Sequence, residues 1–436
     1  GRSRWRETPA LDLGVGPTRI ELENYLDLQY IARIDVGSPA QRISAIVDTG
    51  SFELVVFDHA CKGCGSAGVY AHRRSATHRG GRLVTELSYG SGEVAGDQAF
   101  DQVSLGSLKP FNQSFWLINR AEMPLLSHAK FNSILGVGPP EAPAADAWEL
   151  TEKAVKEAAS QLRQNHLTRL SRKSLKELEG DLVTALDIGG RGTLLRSFGV
   201  RSFSICLGRR PHSPGLFVWN DTLAGESPKA FSRLQVVGKH SWTVRLTDVR
   251  LVSPKPEVDG HSPPLGCEHG CGAVIDSGTS LLVAPAAVVD FLQQAVEMVD
   301  SDCGSLRDLP NLVLTIDGNQ FLLGPDAYAT RSWSSASCRL QCSATVSQAG
   351  SSEGPLWILG MPFLRRYYTT FHLGQDLSSR SLLVAASNED CSVGAQRGLS
   401  SLSVSKERAY LRSFDPEAVF VTPMAHKAAT QSFVNI

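Results

Sequence analysis

The sequence contains the same short pattern twice. Residues 46–51 read Ile-Val-Asp-Thr-Gly-Ser, and residues 274–279 read Val-Ile-Asp-Ser-Gly-Thr. Each copy has an Ile-Leu-Gly triplet downstream, and the intervals from the aspartate to the glycine, Gly136 or Gly360, are 88 and 84 residues. A single Asp-Thr-Gly is a common turn, whereas two copies with matched flanks and matched partners predict two related lobes that are built the same way.

Most of the chain has a pattern typical of β structure. Short apolar runs such as 30–36 and 312–316 are separated by Gly, Pro, Ser and Asp, which favours strands and turns. The stretch 142–186 is rich in Ala, Leu, Lys, Glu and Arg, and it predicts helices from about 145 to 165 and from 171 to 186. The expected fold is mostly β and bilobal, with two related β lobes around a central cleft. The helices form an insertion in the first lobe, which we expect to be a solvated decoration.

Composition excludes several classes of protein. Of the 436 residues, 42% are hydrophobic and 20% are charged, which is an ordinary globular balance. A net charge of −1 argues against nucleic acid or an anionic membrane as the main partner. The longest apolar-rich stretch, 281–299, is interrupted by proline and polar residues, so no transmembrane helix is predicted.

We expect four segments along the chain. These are an N-terminal extension or prosegment remnant over 1–21, a first lobe over 22–222, a second lobe over 223–390 and a C-terminal extension over 391–436. The chain starts at Gly1, and several arginines follow without an apolar core. This start predicts a processed or excised product from which any signal peptide has been removed.

The repeat places Asp48 and Asp276 at the ends of two apolar strands. If the lobes pack about a pseudo-dyad, the two carboxyl groups meet in the crevice between them and share one proton. The ionised carboxylate can take a proton from a water molecule while the protonated one polarises a substrate carbonyl, as is known for the aspartic-protease dyad. The pattern therefore predicts water attack on an amide without a covalent intermediate.

The residues that follow each aspartate are expected to support it. Glycine permits the sharp turn and a close backbone approach. The first hydroxyl residue of each loop can brace one loop against the other, and the second can hydrogen-bond its own aspartate. The predicted supporting residues are Thr49, Gly50, Ser51, Ser277, Gly278 and Thr279.

In combination these motifs resemble those of pepsin-like aspartic proteases. Residues 22–27 with Gly-Ser-Pro-Ala-Gln at 37–41 resemble the start of the mature enzyme, and Tyr-Gly-Ser-Gly at 89–92 resembles the flap hairpin that covers substrate. Trp-Ile-Leu-Gly at 357–360 resembles the late signature. The resemblance spans about 22–386. It implies an aspartic-type endopeptidase with peptide or protein substrates, no cofactor and no metal.

The resemblance also assigns residues around the dyad. The expected flap and substrate-binding residues are Tyr89, Gly90, Ser91, Ile46, Leu125, Phe131 and Ile134. The last four lie near the wall of the S1 pocket by resemblance, and they could equally be ordinary core. The family usually has a tryptophan where this chain has Val55, and its indole hydrogen-bonds the flap tyrosine. Tyr89 is therefore expected to be less firmly held here.

Nine cysteines in 436 residues are too few for a disulfide scaffold. The Cys-x-x-Cys pair at Cys61 and Cys64 could also be half of a zinc or redox site. No histidine pair or βαβ setting supports those readings, so short-loop disulfides in a secretory compartment fit better. The predicted pairs are Cys61–Cys64, Cys267–Cys271 and Cys303–Cys338, the last two as the resemblance implies. Of Cys206, Cys342 and Cys391 at least one stays free or pairs between chains, and we expect a Cys342–Cys391 bridge.

The expected function is that of an aspartic endopeptidase that processes or matures proteins in the secretory pathway, in a secreted, vesicular or lysosome-like location. The opening 24–30 and the extra lengths resemble plasmepsins and toxomepsins of apicomplexan parasites. The resemblance implies a zymogen-derived enzyme that binds statine-type peptidomimetic inhibitors, and we expect a monomer. Two alternatives remain open at this stage, namely a catalytically inactive pepsin-like peptide-binding protein and a structural or adhesive surface protein.

Overall fold

The structure is a computed structural model that describes residues 16–164, 169–253, 264–297, 306–332, 338–344, 356–393 and 412–414. The first ten strands are β1 (Thr18–Tyr25), β2 (Gln29–Val36), β3 (Gln41–Asp48), β4 (Leu54–Lys62), β5 (Arg79–Tyr89), β6 (Gly92–Leu105), β7 (Phe111–Glu122), β8 (Ser133–Gly136), β9 (Ser202–Leu207) and β10 (Gly215–Trp219). The next seven are β11 (Ser232–Gln235), β12 (Thr243–Val252), β13 (Cys271–Ile275), β14 (Leu282–Ala284), β15 (Asn311–Ile316), β16 (Asn319–Leu323) and β17 (Ala329–Ser332). The last are β18 (Cys338–Leu340), β19 (Cys342–Ala344), β20 (Leu356–Leu359), β21 (Tyr367–His372), β22 (Ser381–Ala386) and β23 (Ser413–Phe414).

Six α-helices accompany these strands in the described ranges. They are α1 (Ala142–Gln164), α2 (Arg172–Gly189), α3 (Leu194–Ser197), α4 (Leu223–Glu226), α5 (Ala286–Glu297) and α6 (Met361–Leu364). The fold is mostly β, as the sequence predicts, and it is consistent with the bilobal pepsin-like architecture.

The strands form three sheets. The largest has thirteen strands in the order β11-β22-β21-β9-β10-β1-β2-β3-β8-β4-β7-β6-β5. A seven-stranded sheet has the order β16-β15-β12-β13-β20-β14-β19, and a small one has the order β18-β17-β23. Strands from the second half of the chain, β21 and β22, lie in the same sheet as β1 and β10. The largest sheet therefore connects the two halves of the chain.

The predicted internal repeat appears as matched strand pairings. In the first lobe β3 runs parallel to β8, and β8 runs antiparallel to β4. In the second lobe β13 runs parallel to β20, and β20 runs antiparallel to β14. The parallel pairings align Asp48 with Gly136 and Ile275 with Leu359. Each Ile-Leu-Gly triplet thus lies beside the strand that carries its aspartate, which explains the matched intervals in the sequence.

The N-terminal boundary differs from the prediction. Strand β1 begins at Thr18, inside the segment expected to be an extension, and Thr18 to Leu22 pair with Trp219 to Gly215. The same strand then pairs with β2 from Glu23 to Tyr25. Because β1 joins two parts of the largest sheet, residues 18–21 belong to the fold.

The insertion forms the two predicted helices. Helix α1 begins three residues before the predicted start, and α2 begins after Ser171, whose side chain accepts a hydrogen bond from the Ser174 N–H. Such N-capping satisfies an amide at the start of the helix. Gly180 lies within α2 without ending it. Exposed apolar side chains remain on the outer surface, among them Trp148 and Leu186.

The disulfides agree with the predictions in part. Cys61–Cys64 and Cys267–Cys271 are bonded as predicted. Cys338 is also disulfide-bonded, and its predicted partner Cys303 lies outside the described residues.

The prediction of a Cys342–Cys391 bridge is wrong. Cys391 pairs with Cys206 on β9, with a Cα–Cα distance of 5.8 Å, and Cys342 is a free cysteine. The reason is topological, because Cys391 follows β22, which lies in the same sheet as β9, whereas Cys342 lies on β19 of the seven-stranded sheet. The start of the C-terminal extension is thereby bonded to the largest sheet. None of the helices in the described ranges has both the length and the apolar character that a membrane crossing needs.

Candidate active site

The two Asp-Thr/Ser-Gly loops hydrogen-bond to each other. The Thr49 N–H donates to Ser277 Oγ at 3.1 Å, and the Ser277 N–H donates to Thr49 Oγ1 at 2.9 Å. The same hydroxyls donate onward to the opposite lobe, Thr49 to the Ile275 carbonyl at 2.8 Å and Ser277 to the Val47 carbonyl at 2.7 Å. The bracing role predicted for these hydroxyls is therefore present, and it fixes one loop relative to the other.

Each aspartate is held by its own loop. Gly50 N–H and Ser51 Oγ donate to the two oxygens of Asp48, at 2.8 and 2.5 Å. In the second loop the contacts on Asp276 come from the Gly278 N–H at 2.8 Å and from Thr279 Oγ1 at 2.6 Å. Both carboxyl groups thus have one amide donor and one hydroxyl donor, which fixes their orientation.

The two carboxyl groups lie together in a buried place. Asp48 is 0% exposed and Asp276 is 1% exposed. Burial raises the pKa of Asp48 well above its ordinary value, and Asp276 raises it further through its charge and through a hydrogen bond between the side chains. The Ser51 and Gly50 hydrogen bonds lower the same pKa without cancelling the rise. Two like charges in one buried site are costly, so the arrangement favours one shared proton.

The expected flap residues form a hairpin. Strands β5 and β6 pair with Tyr89 opposite Gly92, so Gly90 and Ser91 form its two-residue turn. Tyr89 is only 6% exposed. Burial first, and then the charges of Glu53 and Asp48, raise the pKa of its phenol well above the ordinary value. Tyr89 is therefore close enough to the candidate site to interact with its charges.

The structure also brings the expected pocket residues together. Ile46, Leu125, Phe131 and Ile134 are buried members of one apolar cluster that also contains Tyr89. The four pocket residues lie on strands β3 and β8 and in the segment between β7 and β8. This placement suits both a pocket wall and an ordinary core.

A family comparison matches this architecture. The model of the family "Eukaryotic aspartyl protease" matches residues 29–167 and 200–381. The chain belongs to the eukaryotic aspartyl protease family. The unmatched interval between these ranges covers all of α2 and α3, which agrees with an insertion at this point.

The relatives of the chain in this family include pepsins and a chymosin. Pepsin A of Bos taurus is 26% identical over 365 residues, which cover 81% of this chain and 84% of that protein. Pepsin A of Sus scrofa is 27% identical over 360 residues, which cover 80% of each. Chymosin of Camelus dromedarius is 25% identical over 367 residues, which cover 81% of this chain and 80% of that protein. The similarity therefore extends over both lobes.

In this member of the aspartyl protease family the base of the helical insertion contacts the hairpin that carries Tyr89. Ala147, Leu150 and Ile188 pack in or against the apolar cluster that contains Tyr89. On strand β5 of the hairpin, Arg82 forms an ion pair with Asp187 of α2 at 2.6 Å. The expectation of a solvated decoration is wrong for this part, because the inner faces of both helices are apolar and need a partner surface.

The start of the insertion also contacts the second lobe. Arg380, whose side chain is 2% exposed, forms an ion pair with Glu141 immediately before α1. His240 of the second lobe has one ring nitrogen 3.6 Å from the Glu149 carboxylate and the other 3.9 Å from the Asp146 carboxylate. The insertion therefore contacts the hairpin of Tyr89 on one side and the second lobe on the other.

Three further residues near the site belong to no sequence motif. Glu53 follows the first dyad loop, Trp116 lies on β7 and Arg191 follows α2. The Arg191 guanidinium lies 5.0 Å from the centre of the Trp116 ring system. The one sequence feature that points to this region is Val55, which stands where the family usually has a tryptophan. Within the described residues no cluster of three or more His, Cys, Asp or Glu side chains is arranged to hold a metal ion.

A pH dependence of stability is expected from Asp146. Burial raises its pKa from 3.8 to about 6, although the Arg191 charge lowers it. A carboxyl whose pKa is raised in the folded state stabilises the fold below about pH 4, and this contribution is lost as the pH rises through about 6. Asp146→Asn should therefore gain stability relative to wild type between pH 4 and 7, by about 1–2 kcal/mol.

Melting temperatures at pH 4, 5, 6 and 7 measure this difference. Asp181→Asn, which removes a carboxylate from α2, serves as the matched control for the loss of one charge from the insertion. A difference between Asp146→Asn and wild type that stays constant over this range would contradict the effect of burial on the Asp146 carboxyl.

Proposed function

We propose that this chain is an aspartic endopeptidase that hydrolyses peptide bonds in protein substrates, with Asp48 and Asp276 as the catalytic pair. The observation that carries the proposal is the pair of buried carboxyl groups, each held by its own loop, with the pKa of Asp48 raised by burial and by Asp276. Membership of the aspartyl protease family supports the same chemistry.

In the proposed reaction one carboxyl is ionised and the other is protonated. The ionised carboxyl takes a proton from a water molecule, and the water oxygen bonds to the carbonyl carbon of the scissile amide. The protonated carboxyl keeps its proton and donates a hydrogen bond to the carbonyl oxygen, which becomes the oxyanion of the tetrahedral species. A proton then passes from the dyad to the amide nitrogen, the C–N bond breaks, and the remaining proton is again shared. No covalent bond forms between enzyme and substrate, so no separate nucleophilic side chain is needed.

The flap and the apolar cluster have supporting roles in this proposal. Tyr89, Gly90 and Ser91 cover a bound peptide, and Tyr89 contributes an aromatic wall. Ile46, Leu125, Phe131 and Ile134 form the apolar side of a pocket for one substrate side chain. Because these four side chains are apolar, a substrate residue with an apolar side chain is favoured next to the scissile bond.

The proposed setting is the secretory pathway, where the enzyme processes or matures other proteins. The disulfides at Cys61–Cys64, Cys206–Cys391 and Cys267–Cys271 support an oxidising compartment. We propose that the chain acts as a monomer derived from a zymogen and that it binds statine-type inhibitors. The likeness to plasmepsins and toxomepsins stays a prediction from the opening motif.

Cleavage of a diverse peptide library between pH 3 and 7, read by mass spectrometry, tests this function. We expect cleavage within peptides at acidic pH and its inhibition by a statine-type compound, since such compounds imitate the tetrahedral species. Binding of that compound without cleavage of any peptide would favour the catalytically inactive alternative. Failure of both would contradict the proposed function.

A further inference from the structure

An indole lies one strand away from the position where the family usually has a tryptophan. Val55 occupies that position on β4 and is 0% exposed. The neighbouring strand β7 runs parallel to β4, and its residue opposite Val55 is Trp116. Residues at the same register of adjacent strands project from the same face of the sheet. Val55, Trp116 and Tyr89 are members of one apolar cluster. A large aromatic side chain is thus present in the apolar cluster that contains Tyr89, although it comes from another strand.

Trp116 is also contacted by a residue that follows the second helix of the insertion. Arg191, which follows α2 and is only 9% exposed, places its guanidinium 5.0 Å from the Trp116 ring centre and 5.9 Å from that of Phe52. A guanidinium over an indole is attracted by the negative face of the ring, and more strongly when water is excluded. One Arg191 nitrogen also lies 3.7 Å from the Asp146 carboxylate. The orientation of Trp116 therefore depends on the base of the insertion.

Glu53 connects this group to the flap. Its charge raises the pKa of Arg191, opposing the larger lowering by burial, and it also raises the pKa of Tyr89. Glu53, Trp116 and Arg191 line the same recess. The carboxylate of Glu53 is therefore near both Arg191 and Tyr89.

We propose that Trp116 positions the flap tyrosine Tyr89, in place of a tryptophan at position 55, and that Arg191 holds Trp116 in that position. This inference rests on the proposed function, because a positioned flap affects turnover only in a cleft that hydrolyses peptides. Tyr89 is then firmly held in spite of Val55, because the indole that holds it comes from β7 and not from β4. Through Arg191, the segment that follows α2 then helps to position the flap, although it contributes no group to the reaction.

The positioning role of Trp116 can be tested by moving the indole from position 116 to position 55. Trp116→Phe should increase the off-rate of a statine-type inhibitor about tenfold and raise KM more than it lowers kcat, because a loosely held flap mainly affects how long the ligand stays bound. The double variant Val55→Trp with Trp116→Gly should restore the off-rate to within about threefold of wild type. Trp148→Phe is the matched control, since Trp148 is 66% exposed on α1, and it should change neither quantity.

A second readout needs no activity. Incorporation of 3-fluorotyrosine gives ¹⁹F NMR signals from the eight tyrosines, and Tyr89→Phe identifies the signal of Tyr89. In Trp116→Phe this signal should shift and broaden, and in the double variant it should return toward the wild-type position. Arg191→Gln should produce a smaller change of the same kind. This variant leaves Trp116 in place, so it remains informative if Trp116→Phe does not fold.

Three outcomes are decisive. Wild-type off-rates and an unchanged Tyr89 signal in Trp116→Phe, or in Arg191→Gln if only that variant folds, would overturn the positioning role. If Trp116→Phe lowers the melting temperature and the double variant does not restore the inhibitor off-rate, Trp116 is only a core residue. This outcome also overturns the positioning role. If the wild type cleaves no peptide and binds no inhibitor, the proposed function fails, while the ¹⁹F signal of Tyr89 still decides the positioning role.

Discussion

Asp48→Asn and Asp276→Asn are each expected to lower peptide hydrolysis by about 10³-fold or more, since each removes one partner of the acid–base pair. Asparagine cannot ionise, so it can neither take a proton from water nor share one with the remaining carboxyl. Its amide oxygen can still accept the hydrogen bonds that Ser51 or Thr279 donates to the native side chain. The loops should therefore keep their shape, and the loss should lie in kcat.

Steady-state kinetics with a fluorogenic peptide from the library measure this loss. Melting temperatures should stay at or above the wild-type value near pH 6, because the variant no longer buries two carboxyl groups that compete for one proton. Asp97→Asn, which removes an exposed carboxylate of β6, is the control and should retain full activity. Substantial turnover by either dyad variant would contradict the assignment of the pair.

The doubled architecture could be predicted because its signal is local and repeated. Each aspartate ends an apolar strand, and each Ile-Leu-Gly triplet is the strand beside it, as the pairings of Asp48 with Gly136 and of Ile275 with Leu359 show. Small residues and hydroxyls are required where the two loops pack against each other, so the motif is constrained at every position. The hydrogen bonds of Thr49 and Ser277 were predictable for the same reason.

Contacts between distant segments could not be predicted in this way. Cys206 and Cys391 are 185 residues apart, and no spacing rule favours that pair over one with Cys342. The pairing depends on which strands neighbour β9, and this is a property of the assembled sheet.

The role of the insertion was missed for a related reason. Helical periodicity predicts that α1 and α2 have an apolar face but not what that face contacts. Arg191 lies two residues beyond α2 in a Gly-Gly-Arg-Gly stretch, a composition typical of a solvated turn. Only the assembled structure shows that its guanidinium is buried over Trp116.

Gly360→Ala is expected to cause the largest loss of stability among single substitutions near the site. A Cβ at position 360 would lie 2.1 Å from the Leu281 carbonyl oxygen and 2.3 Å from that of Thr279. Both are backbone atoms of the segment that follows Asp276, so neither can move away as a side chain would. We expect a destabilisation of about 3 kcal/mol or more, or a failure to fold.

The repeat provides a second test of the same contact. At Gly136 an added Cβ would lie 2.4 Å from the Glu53 carbonyl oxygen and 2.6 Å from the Glu53 nitrogen. Gly136→Ala should therefore be destabilising for the same reason in the first lobe. The matched control is Gly180→Ala within α2, where no atom apart from the adjacent residues and the local helix backbone lies within 4 Å of the added Cβ. This change should stabilise the protein by about 0.5–1 kcal/mol, because alanine is the better helix former.

Urea unfolding of the three variants, followed by circular dichroism, separates steric overlap from the general effect of replacing glycine. If the overlap is real, Gly360→Ala and Gly136→Ala lose stability while Gly180→Ala gains it. The inhibitor should also bind weakly to any Gly360→Ala protein that folds, since the segment after Asp276 has to move to make room. If Gly360→Ala matched wild type in both stability and inhibitor affinity, the close packing of Gly360 against residues 279–281 would be wrong. The position of the Asp276 loop, which this packing supports, would then need revision.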